Sequence, residues 1–131
     1  MTGNEERLKV IRILIADDCA AVRSGLSEYL ANYPDVNLVG AAPDSATAVS
    51  LAAASHPDVV IMDLMMPGIG GIEATRQIVA AQPGTRVIMH SALSGRSQLA
   101  AAMAAGATGF VSKGEHPQLL LQQVRQTGSA E

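Results

Sequence analysis

The sequence predicts an α/β fold, a doubly wound sheet of five parallel strands with five flanking helices. Three observations lead there. Strand-like and helix-like patterns alternate along the whole chain. The strand segments are near-continuous apolar runs, the pattern of a sheet covered on both faces and hence parallel. Gly, Pro or Asp residues punctuate the joins between segments. Right-handed crossovers then put helices on both faces, and such sheets bind ligands at the carboxyl ends of their strands.

The elements follow in order. Residues 11–16 are an apolar strand after a charged start. Over residues 20–33, Val22, Leu26, Leu30 and Tyr33 recur at spacings of three and four, a helix face that Pro34-Asp35 stops. Residues 36–41 read as the second strand. Residues 44–55 are an Ala-rich helix with Asp44 or Ser45 as N-cap, broken at His56-Pro57. Residues 58–62 are the third strand. Pro67-Gly68 and Gly70-Gly71 make a turn-rich loop before a helix with Ile72, Thr75, Ile78 and Val79 on one face. Pro83-Gly84 ends that helix. Residues 85–90 form the fourth strand, 95–105 an Ala-rich helix closing at Gly106, and 108–112 the fifth strand. Pro117 opens the last helix, with Leu120, Leu121 and Val124 inward and Leu119 off that face. One domain is expected over residues 1–131, with a folded core at about 10–126 and a frayed end or linker beyond.

Composition excludes several function classes. Of the 131 residues 48% are hydrophobic but only 2% aromatic, with no Trp, which leaves little for a base-stacking or sugar-stacking surface. A net charge of −3 argues against a nucleic-acid footprint on this chain. The single cysteine, Cys19, has no internal disulfide partner, which fits a reducing compartment, and it reads as a small buried filler. The polar start lacks a signal-peptide core, and no apolar run approaches the ~18 residues of a membrane span. A cytoplasmic protein without membrane contact is expected.

Asp17, Asp18, Asp63 and Lys113 follow three of the apolar runs, so parallel strands would bring all four to one sheet edge. Clustered carboxylates repel and resist ionising without counter-charge. A hard divalent cation plus one ammonium would offset them, and the arrangement suits a carboxylate that accepts a phosphoryl group. Plainer roles stand beside this one: Asp17-Asp18 as a helix cap, Asp63 as a strand-end cap, Ser91 as a turn initiator, and Phe110 and His90 as packed residues. His90 should point to the opposite side of its strand from Ser91. His56 and His116, each before a proline, read as loop or cap residues.

The ordered set Ile15-Ala16-Asp17-Asp18, Val60-Ile61-Met62-Asp63-Leu64-Met65-Met66-Pro67-Gly68, His90-Ser91-Ala92 and Gly109-Phe110-Val111-Ser112-Lys113 resembles the receiver domains of bacterial two-component response regulators. The resemblance covers nearly the whole chain. The stretch from Asp17 to Leu26, and His-Pro-Asp-Val-Val at 56–60, further resemble the subfamily with a LuxR-type helix-turn-helix output. It implies a flavodoxin-like strand order 2-1-3-4-5. It implies that Asp63 takes a phosphoryl group from a sensor histidine kinase or phosphotransfer protein. Asp17, Asp18, Asp63 and the Met65 backbone carbonyl would hold Mg2+. Lys113 would pair with Asp63 when empty and with a phosphoryl oxygen when loaded. Ser91 would donate its hydroxyl to the phosphoryl group, and Ser91 with Phe110 would form the switch that reads out phosphorylation.

The same resemblance implies a regulator rather than a turnover enzyme, with self-catalysed phosphotransfer and slow autodephosphorylation. An aspartyl-phosphate phosphatase would need an acid two residues after the nucleophile, where Met65 stands. A flavin-binding protein of similar fold would not place Asp17-Asp18 against its phosphate. Transcription would be controlled through an output domain outside this chain, with homodimerisation on phosphorylation and DNA contact only through that domain. The alternative is a stand-alone receiver acting by protein contact or phosphorelay. The Ala-rich fourth helix and Leu119 are candidate contact surfaces. Three positions depart from the family pattern: Gly114 stands where Pro is common, Gly70 where Asp or Asn is common, and Phe110 where Tyr is commoner. Met65 and Leu93 should flank the path of attacking water without hydrogen-bonding it, so a slowly hydrolysing acyl phosphate is expected.

Overall fold

The computed structural model describes residues 9–92 and 95–128. The strands are β1 (Ile11–Ala16), β2 (Val36–Ala42), β3 (Val59–Met62), β4 (Arg86–Ser91) and β5 (Gly109–Ser112). The helices are α1 (Ala20–Leu30), α2 (Ser45–Ser55), α3 (Gly70–Ala81), α4 (Arg96–Ala104) and α5 (Pro117–Gly128). All strand pairs are parallel, in the order β2-β1-β3-β4-β5. No helix among the described residues is long and apolar enough to cross a membrane.

Strand alternation divides the core into two layers. Leu14, Ala16, Val60, Met62, Val87 and Met89 pack with α2, α3 and α4 through Ala48, Ala52, Ala74, Ile78 and Ala102. Ile13, Ile15, Val59, Ile61, Ile88 and Val111 pack with α1 and α5 through Leu26, Leu30, Leu120, Leu121 and Val124. The small side chains of α2 let that helix lie close to β1 and β2.

Several boundaries differ from the sequence expectation. Helix α1 stops at Leu30 rather than Tyr33; a turn follows, with the Asn32 amide bonded to Tyr29 O and the Tyr33 amide to Leu30 O. Asp44, not Ser45, is the N-cap of α2, its Oδ1 accepting from Thr47 N at 2.7 Å. Ser91 is the last residue of β4 rather than the residue after it. The folded core continues past 126: α5 runs to Gly128, which is buried against Ile11 and Val59, where a Cβ would stand 2.7 Å from Ile11 Cγ2. The small residue lets the end of α5 close onto the start of the sheet.

Candidate functional site

The parallel register builds the site. Ala16 pairs with Met62 across β1 and β3, so the next residues, Asp17 and Asp63, leave the sheet side by side. Their backbones are held there: the Asp63 amide donates to Ala16 O at 2.8 Å, and the Asp17 amide to Ala42 O at 2.9 Å. Ser91 pairs with Ser112 across β4 and β5, and the Lys113 amide donates to Ser91 O at 3.0 Å. Lys113 therefore starts its reach from the same edge.

Asp17 and Asp63 are 2% and 5% exposed, whereas Asp18 faces solvent. The three offer carboxylate oxygens that all lie within 4.8 Å of one another. The Lys113 ammonium is 2.8 Å from Asp17 Oδ2 and 3.5 Å from Asp63 Oδ2. Its nearer partner is thus Asp17, although the family resemblance points to Asp63. Asp17 Oδ1 accepts from the Cys19 amide at 2.9 Å, and Arg23 donates to the Asp17 carbonyl at 2.7 Å. The Met65 amide donates to Asp63 Oδ1 at 3.3 Å.

These surroundings set the charges. Burial, then the Asp17 charge, push the Asp63 carboxyl above its ordinary range, against the opposing pull of Lys113 and the Met65 amide. Burial draws the Lys113 ammonium down, but bonds and charges from Asp17 and Asp63 outweigh this and raise it. His90 is held below the usual histidine range by burial and then by the Lys113 charge. It is packed on the α1/α5 side, beside a groove of about 360 Å3 that Val22, Leu26, Tyr29 and Lys113 also line. Its buried Nδ1 has no hydrogen-bond partner among the described residues.

Ser91 is buried at the end of β4. Phe110, whose side the sequence left open, is half-buried against the α2–α4 layer. The Asp-Asp helix cap is not formed: Cys19 occupies the N-cap of α1 and makes no side-chain bond there. Cys19 is also exposed rather than a buried filler, because the N-cap position lies outside the α1 packing stripe of Leu26 and Leu30. His56 takes a left-handed conformation at the α2 C-cap, and His116 Nδ1 accepts from Gln118 N at the start of α5. The Gly114 amide donates to Ser112 Oγ at 3.2 Å. Met65 is 62% exposed; Leu93 lies outside the described residues.

Sequence reading passed over two supports of the site. Ser45 is fully buried and bonds the loop after Asp63. Gly71 packs on the backbone of Asp63 and Leu64, where a Cβ would collide with the Asp63 carbonyl. The paired glycines were a visible signal of close approach; nothing around Ser45 announced its contacts.

Strand order, helices on both faces and an acidic edge carrying one lysine place the chain among doubly wound α/β domains whose ligand edge is an acidic pocket. Residues 13–125 match the response regulator receiver domain, and the chain belongs to that family. It is 37% identical over 117 residues to the response regulator GacA of Pseudomonas aeruginosa, covering 89% of this chain and 55% of GacA. Among solved structures it is similar to a LuxR-family two-component response regulator from Aurantimonas sp., with TM-score 0.87 and 34% identity, covering 92% of this chain and 86% of that one. It is also similar to the response regulator domain of Thermotoga maritima CheB, with TM-score 0.85 and 34% identity over 94% of this chain and 99% of that one. The resemblance to the LuxR-type subfamily thus extends to whole-chain structure. The chain spans about half the length of the curated relatives it matches, 55% in the case of GacA.

Proposed function

We propose that Asp63 accepts a phosphoryl group from the phosphohistidine of a sensor histidine kinase or phosphotransfer protein. The observation that carries this is the seat of the Asp63 carboxylate. It lies buried at the end of β3, with the Met65 amide on Oδ1 and the Lys113 ammonium facing Oδ2. An Asp63 oxygen forms the new O–P bond as the donor's N–P bond breaks, and the freed imidazole takes a proton from solvent. Lys113 then balances charge on the phosphoryl oxygens, and the Ser91 hydroxyl donates to one of them. Movement of Ser91 would open space for the Phe110 ring.

The donor set fits Mg2+: three carboxylates lie within 4.8 Å of one another against one nearby ammonium, leaving net negative charge on hard oxygen ligands. Asp17, Asp18, Asp63 and the Met65 carbonyl would hold it. When bound, the ion supplies neutralisation of the charge gathering on the transferring phosphoryl group.

The protein is then a cytoplasmic regulator, not a turnover enzyme. Its acyl phosphate is long-lived, because Met65 gives an attacking water no hydrogen bond. Phosphorylation alters homodimerisation and controls transcription through an output domain. The partly exposed Leu99 and Met103 of α4 and Leu119 of α5 are the apolar contacts offered for that step. Incubation with Mg2+ and acetyl phosphate, followed by intact mass, tests the chemistry. One phosphate adduct is expected on the wild type and none on Asp63→Asn; an unmodified wild type refutes it.

A further inference from the structure

The loop between β3 and α3 has little of its own to hold it. Ile69, at the N-cap of α3, makes no side-chain capping bond, and Gly70 offers no side chain. Pro67 has no amide to donate. Gly68 and Gly70 take positive φ values of 94° and 87°, conformations that glycine adopts without steric cost. Yet this loop carries Met65, whose amide touches Asp63.

The missing support comes from another element. Ser45, the first residue of α2, is fully buried. Its hydroxyl donates to Pro67 O at 2.8 Å and accepts from the Ile69 amide at 2.9 Å. Its own amide reaches Pro67 O at 3.3 Å. A side chain on Gly68 would place Cβ 2.5 Å from Ser45 Oγ, so the glycine also makes room for the clamp. At the far end, the Gly71 amide donates to Leu64 O at 3.1 Å. The segment from Asp63 to Gly71 is therefore fixed at both ends and, in its middle, by one hydroxyl of α2.

We propose that Ser45 is a positioning residue of the phosphoacceptor loop, holding the Met65 carbonyl and amide in register with the Asp63 carboxylate. This rests on the reading that Asp63 is the phosphoacceptor and that the Met65 carbonyl is a Mg2+ ligand. Removing the hydroxyl frees the 67–69 turn while every proposed ligand remains. Mg2+ affinity and the phosphorylation rate then fall together.

The test compares wild type, Ser45→Ala and Ala52→Gly. Ala52 is buried further along α2 and takes no part in the Ser45 side-chain bonds to the loop, so its glycine variant loosens the helix with those bonds kept. Mg2+ binding is measured by calorimetry, labelling by acetyl phosphate through intact mass, and stability by thermal melting. For Ser45→Ala, Mg2+ affinity is expected to drop about 10-fold, the low end for loss of an outer-shell support. Labelling at limiting Mg2+ should slow in proportion, with recovery at high Mg2+. Ala52→Gly should melt earlier with Mg2+ affinity unchanged. If the wild type binds Mg2+ and labels, and Ser45→Ala matches it or shifts no more than Ala52→Gly, the positioning role is wrong and the phosphoacceptor reading stands. If the wild type neither binds Mg2+ nor labels, both fall.

Discussion

The Lys113 ammonium lies 2.8 Å from Asp17 Oδ2, a buried oxygen with no other polar partner among the described residues. Its distance to Asp63 is 3.5 Å. Lys113 is thus the counter-charge of Asp17 before it is anything to a phosphoryl group. Because its folded pKa is raised, its contribution is complete below the ordinary lysine value of 10.5 and is lost as pH rises through the folded value. Replacing Lys113 by Met strands two buried carboxylates and should cost about 1–3 kcal/mol near neutral pH. The stranded carboxylates can be relieved by protons, so the deficit should shrink on acidification. Urea melts of wild type and variant at neutral and mildly acidic pH decide this; a deficit that grows with acid contradicts it.

Asp63 makes the opposite bargain with stability. Burial and the Asp17 charge raise its pKa above the ordinary 3.8, so the folded chain binds that proton more tightly than the unfolded chain does. Its favourable contribution is full below 3.8 and is lost as pH rises through the folded value, leaving the ionised group a cost at neutrality. In Mg2+-free neutral buffer Asp63→Asn should melt a few degrees above wild type, with the gap closing as pH falls. In the same Mg2+-free buffer, an NMR titration of the Asp63 carboxyl carbon should show a midpoint above the ordinary 3.8. A midpoint at or below that value would show that Asp63 does not feel this environment.

Gly71 fits where no side chain can. A Cβ there would collide with the Asp63 carbonyl and stand 2.9 Å from Leu64 Cα, both backbone atoms with little room to move. Gly71→Ala is expected to destabilise by about 2 kcal/mol or more, since overpacking against fixed atoms forces the backbone apart. Labelling at saturating Mg2+ should fall as well. Gly84→Ala, with open space around the added carbon, is the control expected to leave labelling intact. Chemical denaturation and intact mass on both variants make the comparison.

Cys19 is the one cysteine and is exposed. An aromatic disulfide reagent should therefore modify the native protein at one thiol, at a rate little changed by mild denaturant. A thiol that reacts only after unfolding would return it to the interior.

The alternation of apolar runs with helix-period segments was enough to determine a doubly wound parallel sheet, because period and burial are local properties of the chain. The order in which Asp17, Asp63, Ser91 and Lys113 follow their strands was equally legible, as was the resemblance that assigned them roles. Their pairing was not. The Ala16–Met62 and Ser91–Ser112 registers bring the three side chains to one edge, and there the Lys113 ammonium stands nearer Asp17 Oδ2 than Asp63 Oδ2. Phe110 found its layer only when β5 joined Met89 of β4, and Cys19 turned outward only when α1 fixed its stripe. Ser45 depends most on tertiary structure, bonding residues 22 and 24 positions away, whereas Gly71 is small because the turn after β3 folds backbone onto backbone. Sequence determined which groups reach the sheet edge; packing and register decided which of them touch, since contacts between separate elements have no local signature.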